Sequence, residues 1–409
     1  MCTFASTFPH LRPRREFFGA FCVYGSVRRF VNWRRPLHAV GVDFGYSGIK
    51  VVALSADRGE LTLLGAGVEP LPPGALQDGA VRDADAVGAA LGALLTRLRV
   101  RCRLLTLAIG GSSVLVKRFS VPSDAVPAGR TPGGLRDAVA REAARHVPFH
   151  LESLEFDFEG PLPVSRETAP ADPEAESRAA VVFGAAPREI VLEHCRAAAA
   201  AGREAARVEL EPYALHAAVV LADRLAGADP EPGTLAIAEI GASRSGVHVF
   251  GNPPLTGLAT RDPGRPPELH AGATAPADLL TSVPVPGVGA PVADGPPAGV
   301  ESGFKPDLAG TRWPEDPAEG LHDRIAAAAR EAFREAGLGQ GGRVLLSGGG
   351  AVSPAVRAGF GEFTARDPEV LDPLKGLGLA EHGPAFSVAA GLAYRAILDR
   401  SGPGIGLRS

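Results

Sequence analysis

Lysine is nearly missing from this sequence: of 42 basic side chains only Lys50, Lys117, Lys305 and Lys375 are lysine. Such a uniform excess of arginine reads as base composition in the gene, not as guanidinium chemistry at one site. Positive charge is not in surplus either. With 46 acidic residues the net charge is −4, which leaves no basic domain for a phosphate backbone and excludes nucleic acid as a partner. Cysteine is scarce and scattered (Cys2, Cys22, Cys102, Cys195) without a C-x-x-C pair, so neither a zinc site nor a disulfide framework is expected and a reducing cytosol fits. No window of about 18 residues is free of charges and helix breakers, which excludes a membrane-spanning helix. Any membrane role must then run through a partner.

What is present is apolar: 45% of 409 residues, enough to bury cores in the two or three domains that roughly 150 residues per domain suggests. The charge is unevenly spread. Residues 1–38 hold Arg12, Arg14, Arg15, Arg28, Arg29, Arg34 and Arg35 against Glu16 alone, with an apolar stretch, Phe17 to Val27, between the basic clusters. Arg14-Arg15-Glu16-Phe17-Phe18 is faintly similar to a twin-arginine export signal, but no A-x-A site follows and a core strand begins at about His38. The reading is a basic, flexible arm.

From His38 the chain alternates apolar and polar residues: Val40, Val42 and Phe44, a turn Gly45-Tyr46-Ser47-Gly48, then Ile49, Val51 and Ala53. This predicts strand, turn and strand, with Leu61 to Val68 pairing as a third. Asp83 or Asp85 caps a helix with Val87, Leu91, Leu94, Leu95 and Leu98 on one face. Strands follow near 104–109 and 114–119, a helix at 135–146, strands near 154–158 and 179–184, and a helix from Pro187 to Gly202. A helix over 213–225 closes the first half. At Thr234 the opening pattern returns as Leu235, Ile237, Glu239, a turn Gly241 to Gly246, and Val247 to Phe250. Residues 252–318 contain 14 Pro and 9 Gly in 67 positions, a share that predicts disorder in place of a packed subdomain. A helix at 321–336, the strand 343–347, Gly348-Gly349-Gly350, a short helix from Ser353 and a closing helix 386–400 complete the chain.

Two such hairpins and a strand ending in three glycines have a joint chemical use. Glycine turns let backbone N–H groups approach a phosphate. Asp43 and Glu239, at the ends of equivalent strands, are the candidate holders of a Mg²⁺ ion, which takes one or two carboxylates plus phosphate oxygens. Lys50 on the outgoing strand offers a point charge. The candidate nucleotide-binding set is therefore Asp43, Gly45, Ser47, Lys50, Glu239, Gly241, Gly348, Gly349 and Gly350, with Asp43 and Glu239 as the metal pair and the catalytic residues left open.

The tract Val42-Asp43-Phe44-Gly45-Tyr46-Ser47-Gly48-Ile49-Lys50 resembles the first phosphate motif of the actin/Hsp70/sugar-kinase superfamily, specifically that of the PilM family of type IV pilus assembly proteins. Glu69-Pro70-Leu71-Pro72-Pro73-Gly74, Arg141-Glu142-Ala143-Ala144-Arg145-His146-Val147-Pro148-Phe149, Glu211-Pro212-Tyr213, Glu239-Ile240-Gly241-Ala242 and Leu346-Ser347-Gly348-Gly349-Gly350 resemble further family segments in order and spacing. The resemblance implies an α/β, two-lobe actin-like fold of the actin/Hsp70/FtsA type. Lobe I would span 39–232 with a small inserted subdomain at about 103–205, and lobe II 233–383 with a degenerate fourth subdomain. A closing helix at 384–400 would return to lobe I, ahead of a flexible tail at 401–409. It also implies ATP and Mg²⁺ between the lobes, a PilN-like inner-membrane partner whose cytoplasmic tail is captured beside the inserted subdomain, a PilO-like protein reached indirectly, and a place at the cytoplasmic face of the inner membrane, with homo-oligomers possible in principle.

Three departures from the family pattern weaken the nucleotide expectation. Tyr46 stands where the family has a small Ser and is expected to crowd the phosphate turn. Glu239 replaces Asp and is longer by about one C–C bond of ~1.5 Å, a shift that a rigid ~2.0–2.1 Å Mg²⁺ shell tolerates badly. The Pro/Gly tract replaces the helices that wall the nucleoside. The expectation is a scaffold with weak or absent ATPase activity. The alternatives are an active ATP-dependent enzyme of the superfamily, which would need a buried base from among Asp78, Asp83 and Asp157, and an FtsA-like division protein, disfavoured by the lack of an amphipathic C-terminal helix. Asp83 reads as a cap and Asp157 as a surface strand residue.

Overall fold

Alternating apolar side chains build the opening hairpin. Strand β1 (Leu37–Gly45) turns at Tyr46-Ser47 and returns as β2 (Gly48–Asp57), with Val42 opposite Val51 and Asp43 opposite Lys50. β3 (Glu60–Glu69) pairs along β2, as its apolar run predicts. The computed structural model describes residues 36–77, 79–111, 114–122, 132–162, 178–228, 233–242, 244–252, 278–285, 327, 331, 342–364, 368–379 and 383–401. The basic arm up to residue 35, Asp78, most of the expected helix 321–336 and the tail from 402 lie outside them.

β6 (Leu104–Ile109) runs parallel beside β1, and β10 (Glu204–Leu210) parallel beside β6, so the first sheet has the order β10-β6-β1-β2-β3. Helix α1 (Ala84–Arg97) covers one face. Its N-cap is Asp83, whose carboxylate accepts from the Ala86 N–H at 2.9 Å, and it buries Val87, Leu91, Leu94 and Leu95. Asp83→Ala removes that bond and is expected to lower stability by about 1 kcal/mol in urea unfolding, with no change in the expected function; an unchanged midpoint would argue against the cap. α3 (Arg188–Ala200) lies against α1 closely enough that a Cβ on Gly88 would stand 2.8 Å from the Ala197 carbonyl oxygen.

The inserted subdomain is narrower than the expected 103–205. It consists of β7 (Leu115–Pro122), α2 (Pro132–His146), β8 (Leu154–Leu162) and β9 (Arg178–Pro187), with an antiparallel sheet ordered β7-β9-β8. Its core gathers Val121, Val139, Ala143, Val181 and Phe183, with Phe183 against Phe119 and Phe156 at ring separations of 5.8 and 5.2 Å. β6, α3 and β10 belong instead to the first sheet and its helical cover. Apolar periodicity shows that a segment is a strand but not which sheet it joins, and β10 itself, so close behind α3, went unread.

The second sheet repeats the first strand for strand. β11 (Gly233–Ile240) and β12 (Ser245–Asn252) form the equivalent hairpin, β14 (Arg343–Ser347) runs parallel beside β11, and β15 (Glu369–Val370) parallel beside β14. β13 (Asp278–Val285) closes the other edge, giving β13-β12-β11-β14-β15. This strand lies within the tract expected to be disordered, so that expectation fails over these eight residues. Local composition registers the prolines, whereas a sheet edge recruits a strand through its open backbone groups. The rest of the tract, including the expected loss of the fourth subdomain, is outside the described residues.

Two helices join the sheets, α4 (Glu211–Ala226) and α6 (Ser387–Ser401), while α5 (Pro354–Thr364) follows the glycine triplet. Tyr213, Leu215 and Ala218 of α4, Leu235, Ile237 and Leu345 of the second sheet, and Val388 and Leu392 of α6 share one buried cluster. On its other side α6 lies on β1, where Gly41 leaves room for the helix backbone: a Cβ there would stand 2.7 Å from the Ala393 nitrogen. No helix among the described residues is long and apolar enough to cross a membrane.

Candidate functional site

The repeated topology brings the two glycine turns face to face. Between them, and capped by the first turn of α6, is a narrow crevice. Asp43, Ser47, Lys50, Glu239, Gly241, Gly348 and Gly349 line it, so seven of the nine residues expected from sequence converge. Ala242, Ser347, Pro384, Ala385, Ser387 and Val388 complete its walls. Asp43 and Glu239 occupy equivalent places because β1 and β11 are equivalent strands of the two sheets.

Gly45 and Gly350 have other duties. Gly45 backs the lysine: a Cβ there would stand 2.5 Å from Lys50 Nζ. Gly350 faces Ile240, whose Cβ would lie 3.1 Å from a methyl group at that position, and so serves packing beneath the crevice. Gly348 adopts φ of +84°, a left-handed conformation that costs glycine little and that carries the chain from β14 over the Ile240 backbone. Tyr46 is 53% exposed and is not part of the crevice wall. Its ring therefore does not stand in the crevice, whereas Ser47, the other residue of the turn, lines it.

Lys50 is not free to meet a phosphate as a point charge. Its ammonium donates to Asp43 Oδ2 at 3.2 Å, and the pair is largely buried. Burial pushes the Glu239 carboxyl well above the usual carboxylate range, and the nearby Glu211 and Asp43 push the same way against Arg244 and Lys50. A magnesium ion takes one or two ionised carboxylates plus phosphate oxygens and water. As arranged, Asp43 already holds the Lys50 ammonium, so Mg²⁺ would have to displace that partner, and the pair fits the ion poorly.

For a phosphate or sugar the fit is better. Ser347 Oγ is buried in the crevice wall without a hydrogen-bond partner among the described residues, and Gly348 and Gly349 present bare backbone beside it. An orphaned hydroxyl of this kind costs about 1–3 kcal/mol unless a ligand or water takes the bond.

Sequence reasoning missed two participants. Glu211, the first residue of α4, is 5% exposed, and Arg244 Nη2 donates to its Oε2 at 2.7 Å. Glu211 was legible only as part of a family segment; Arg244, one of 38 arginines, carried no local signal. Of the alternative bases, one differs from expectation. Asp83 is a cap as predicted. Asp157 is not a surface residue: its side chain is 14% exposed, 3.7 Å from Arg136 Nη1, and burial pushes its pKa up to about 7, with the Phe158 N–H, Arg136 and Arg207 opposing and Glu209 reinforcing. It sits on β8, outside the crevice lining. The buried His194 is satisfied, donating from Nδ1 to the Ile190 carbonyl at 2.8 Å.

Comparison with known proteins agrees with this architecture. The family model described as type IV pilus assembly protein PilM matches residues 41–256. Among solved structures, a chain of a PilM-PilN type IV pilus biogenesis complex is 21% identical with a TM-score of 0.57, the match covering 88% of this chain and 98% of that one. Ethanolamine utilization protein EutJ of Carboxydothermus hydrogenoformans is 15% identical over 89% of this chain and 92% of its own, at a TM-score of 0.39. A Bacteroides thetaiotaomicron protein with an actin-like ATPase fold and unknown function is 8% identical over 87% and 95%, at 0.41. The fold is the two-lobe actin-like one, with the duplicated sheets, the two joining helices and the inserted subdomain in place.

Proposed function

This chain belongs to the type IV pilus assembly protein PilM family, and from that premise we propose that it is an actin-like scaffold of the pilus inner-membrane assembly complex with weak or no ATPase activity. It would act at the cytoplasmic face of the membrane, capture the tail of a PilN-like protein and reach a PilO-like protein through it. The observation that carries the reading is the match to the family over the first lobe and the second hairpin, together with the likeness in fold to a PilM that is in complex with PilN. Fold alone hosts many functions, so the family match does most of the arguing for the partner.

The weak-nucleotide part rests on the crevice. Lys50, the cation that lines the crevice, is spent on Asp43, so an incoming triphosphate has to break that ion pair before it gains the charge. In favour of retained binding of some phosphate- or ribose-bearing ligand stands the orphaned Ser347 hydroxyl. Two measurements separate these. Immobilised peptide from the N-terminus of a PilN-like protein should retain the full chain while a scrambled peptide does not; equal retention on both would defeat the scaffold reading. Titration calorimetry with Mg-ATP should give a Kd no tighter than roughly 100 μM, about −5.5 kcal/mol. Submicromolar binding with steady turnover would instead establish an ATPase.

A further inference from the structure

Arg244 belongs to the second lobe, in the turn between β11 and β12, yet its guanidinium ends inside the first. There it meets a socket made by three separate pieces of lobe I: the turn between β4 (Leu76–Gln77) and β5 (Ala80–Val81), the residues leaving β6, and the first residue of α4. A Cβ on Gly79 would stand 2.5 Å from Arg244 Nη1, and one on Gly111 would collide with the same nitrogen. Both glycines have φ near +80°, so both turns are shaped for a residue without a side chain, and the space that leaves is filled from the other lobe. Glu211 supplies the charge, accepting from Nη2 at 2.7 Å, while its carboxylate packs on Gly110.

We propose that Arg244 is a built-in latch that closes the two lobes over the crevice without a ligand. In two-lobe proteins closure is ordinarily drawn by a ligand that touches both sides. In this chain a side chain makes that bridge. The far side of the molecule is already joined by the apolar cluster of α4, α6 and the second sheet, and by Arg343 of β14 donating to Asp223 of α4 at 2.6 Å. The Arg244 pair lies at the opposite, crevice end, so it controls opening while the other contacts act as the hinge. A charge-assisted bond with one end largely buried contributes more than an exposed pair, because water competes for it poorly. Closure by an internal pair gives a docking platform one shape at every nucleotide concentration. That use depends on the scaffold reading; the latch itself does not.

Hydrogen–deuterium exchange on the full chain in nucleotide-free buffer tests it. In Arg244→Ala, amides in residues 76–81 and 106–111 are expected to exchange on the order of tenfold faster, while those of α2 and β9 keep their protection. Glu211→Gln, nearly isosteric, should show the same pattern at smaller amplitude, and the double variant should be no faster than Arg244→Ala, since both remove one interaction. Unchanged exchange in the two loops of either single variant would overturn the latch, as would additive effects in the double. If Arg244→Ala fails to fold, Glu211→Gln carries the test. Because no nucleotide or peptide is present, failure of the scaffold reading in the binding experiments leaves this result standing.

Discussion

Alanine in place of Gly391 is expected to cost about 3 kcal/mol or more of stability and to disorder the crevice with it. Gly391 lies within α6 where that helix crosses α4, and the two backbones touch: a Cβ would collide with the Ala214 carbonyl oxygen and reach the Ala218 nitrogen at 3.0 Å. Neither atom can yield, since both are part of a buried helix flanked by Tyr213, Leu215 and Tyr394, each at most 1% exposed. The helices must therefore separate. Both deliver their first residues to the functional region, Glu211 from α4 and Ser387 and Val388 from α6, so the loss of stability should come with a looser crevice. Urea unfolding of Gly391→Ala checks the first, and faster exchange at residues 211–215 and 385–390 the second. A variant with wild-type midpoint and wild-type exchange would show that the helices are not in backbone contact.

Asp157 should make the protein less stable as pH rises through neutrality. Its folded pKa, raised to about 7 from an ordinary 3.8 mainly by burial, means that the folded state keeps a proton the unfolded chain has already released. The stability associated with the neutral carboxyl is complete below pH 3.8 and is lost as pH rises to about 7, levelling off beyond. Between pH 5 and pH 8 the loss amounts to about 3 kcal/mol at 1.36 kcal/mol per unit. Arg136, which lies 4.4 Å over the Phe156 ring and 3.7 Å from Asp157, is half exposed and offsets this only in part. Glu209 adds to the repulsion, although it is itself paired with Arg207 at 2.9 Å and Arg395 at 3.2 Å. Asp157→Asn should flatten the pH dependence and raise the urea midpoint at pH 8. Parallel pH profiles for the two proteins would refute it. The residue sits where the inserted subdomain meets the first sheet, so its ionisation also weakens that junction.

Much of the fold was legible because its elements announce themselves locally. The hairpin from His38, the Asp83 cap, the helices 187–202 and 213–225, and the return of the hairpin at Thr234 each follow from period, capping and turn chemistry within about 20 residues. The resemblance of the turn sequences to the PilM family then supplied the two-lobe arrangement and the nine candidate residues, seven of which line one crevice. What local pattern misjudged was allegiance. β6 and α3 look as much like subdomain elements as like parts of the main sheet, β10 went unread, and β13 hides in a tract rich in breakers, because strand pairing is settled by backbone groups far away in the chain.

The amino-acid order by itself determined the elements, the repeated glycine turns and the placing of a carboxylate at the end of each first strand, since these depend on neighbours in the chain and on the stereochemistry of single residues. Only the tertiary structure decided their pairing. Lys50 is bound to Asp43, burial pushes the Glu239 carboxyl above the usual range, and Arg244 crosses from one lobe to Glu211 in the other, some thirty residues away in sequence. Coulomb energy and the cost of leaving water depend on distance and burial in three dimensions, and neither quantity exists for a residue until the two lobes have closed around it.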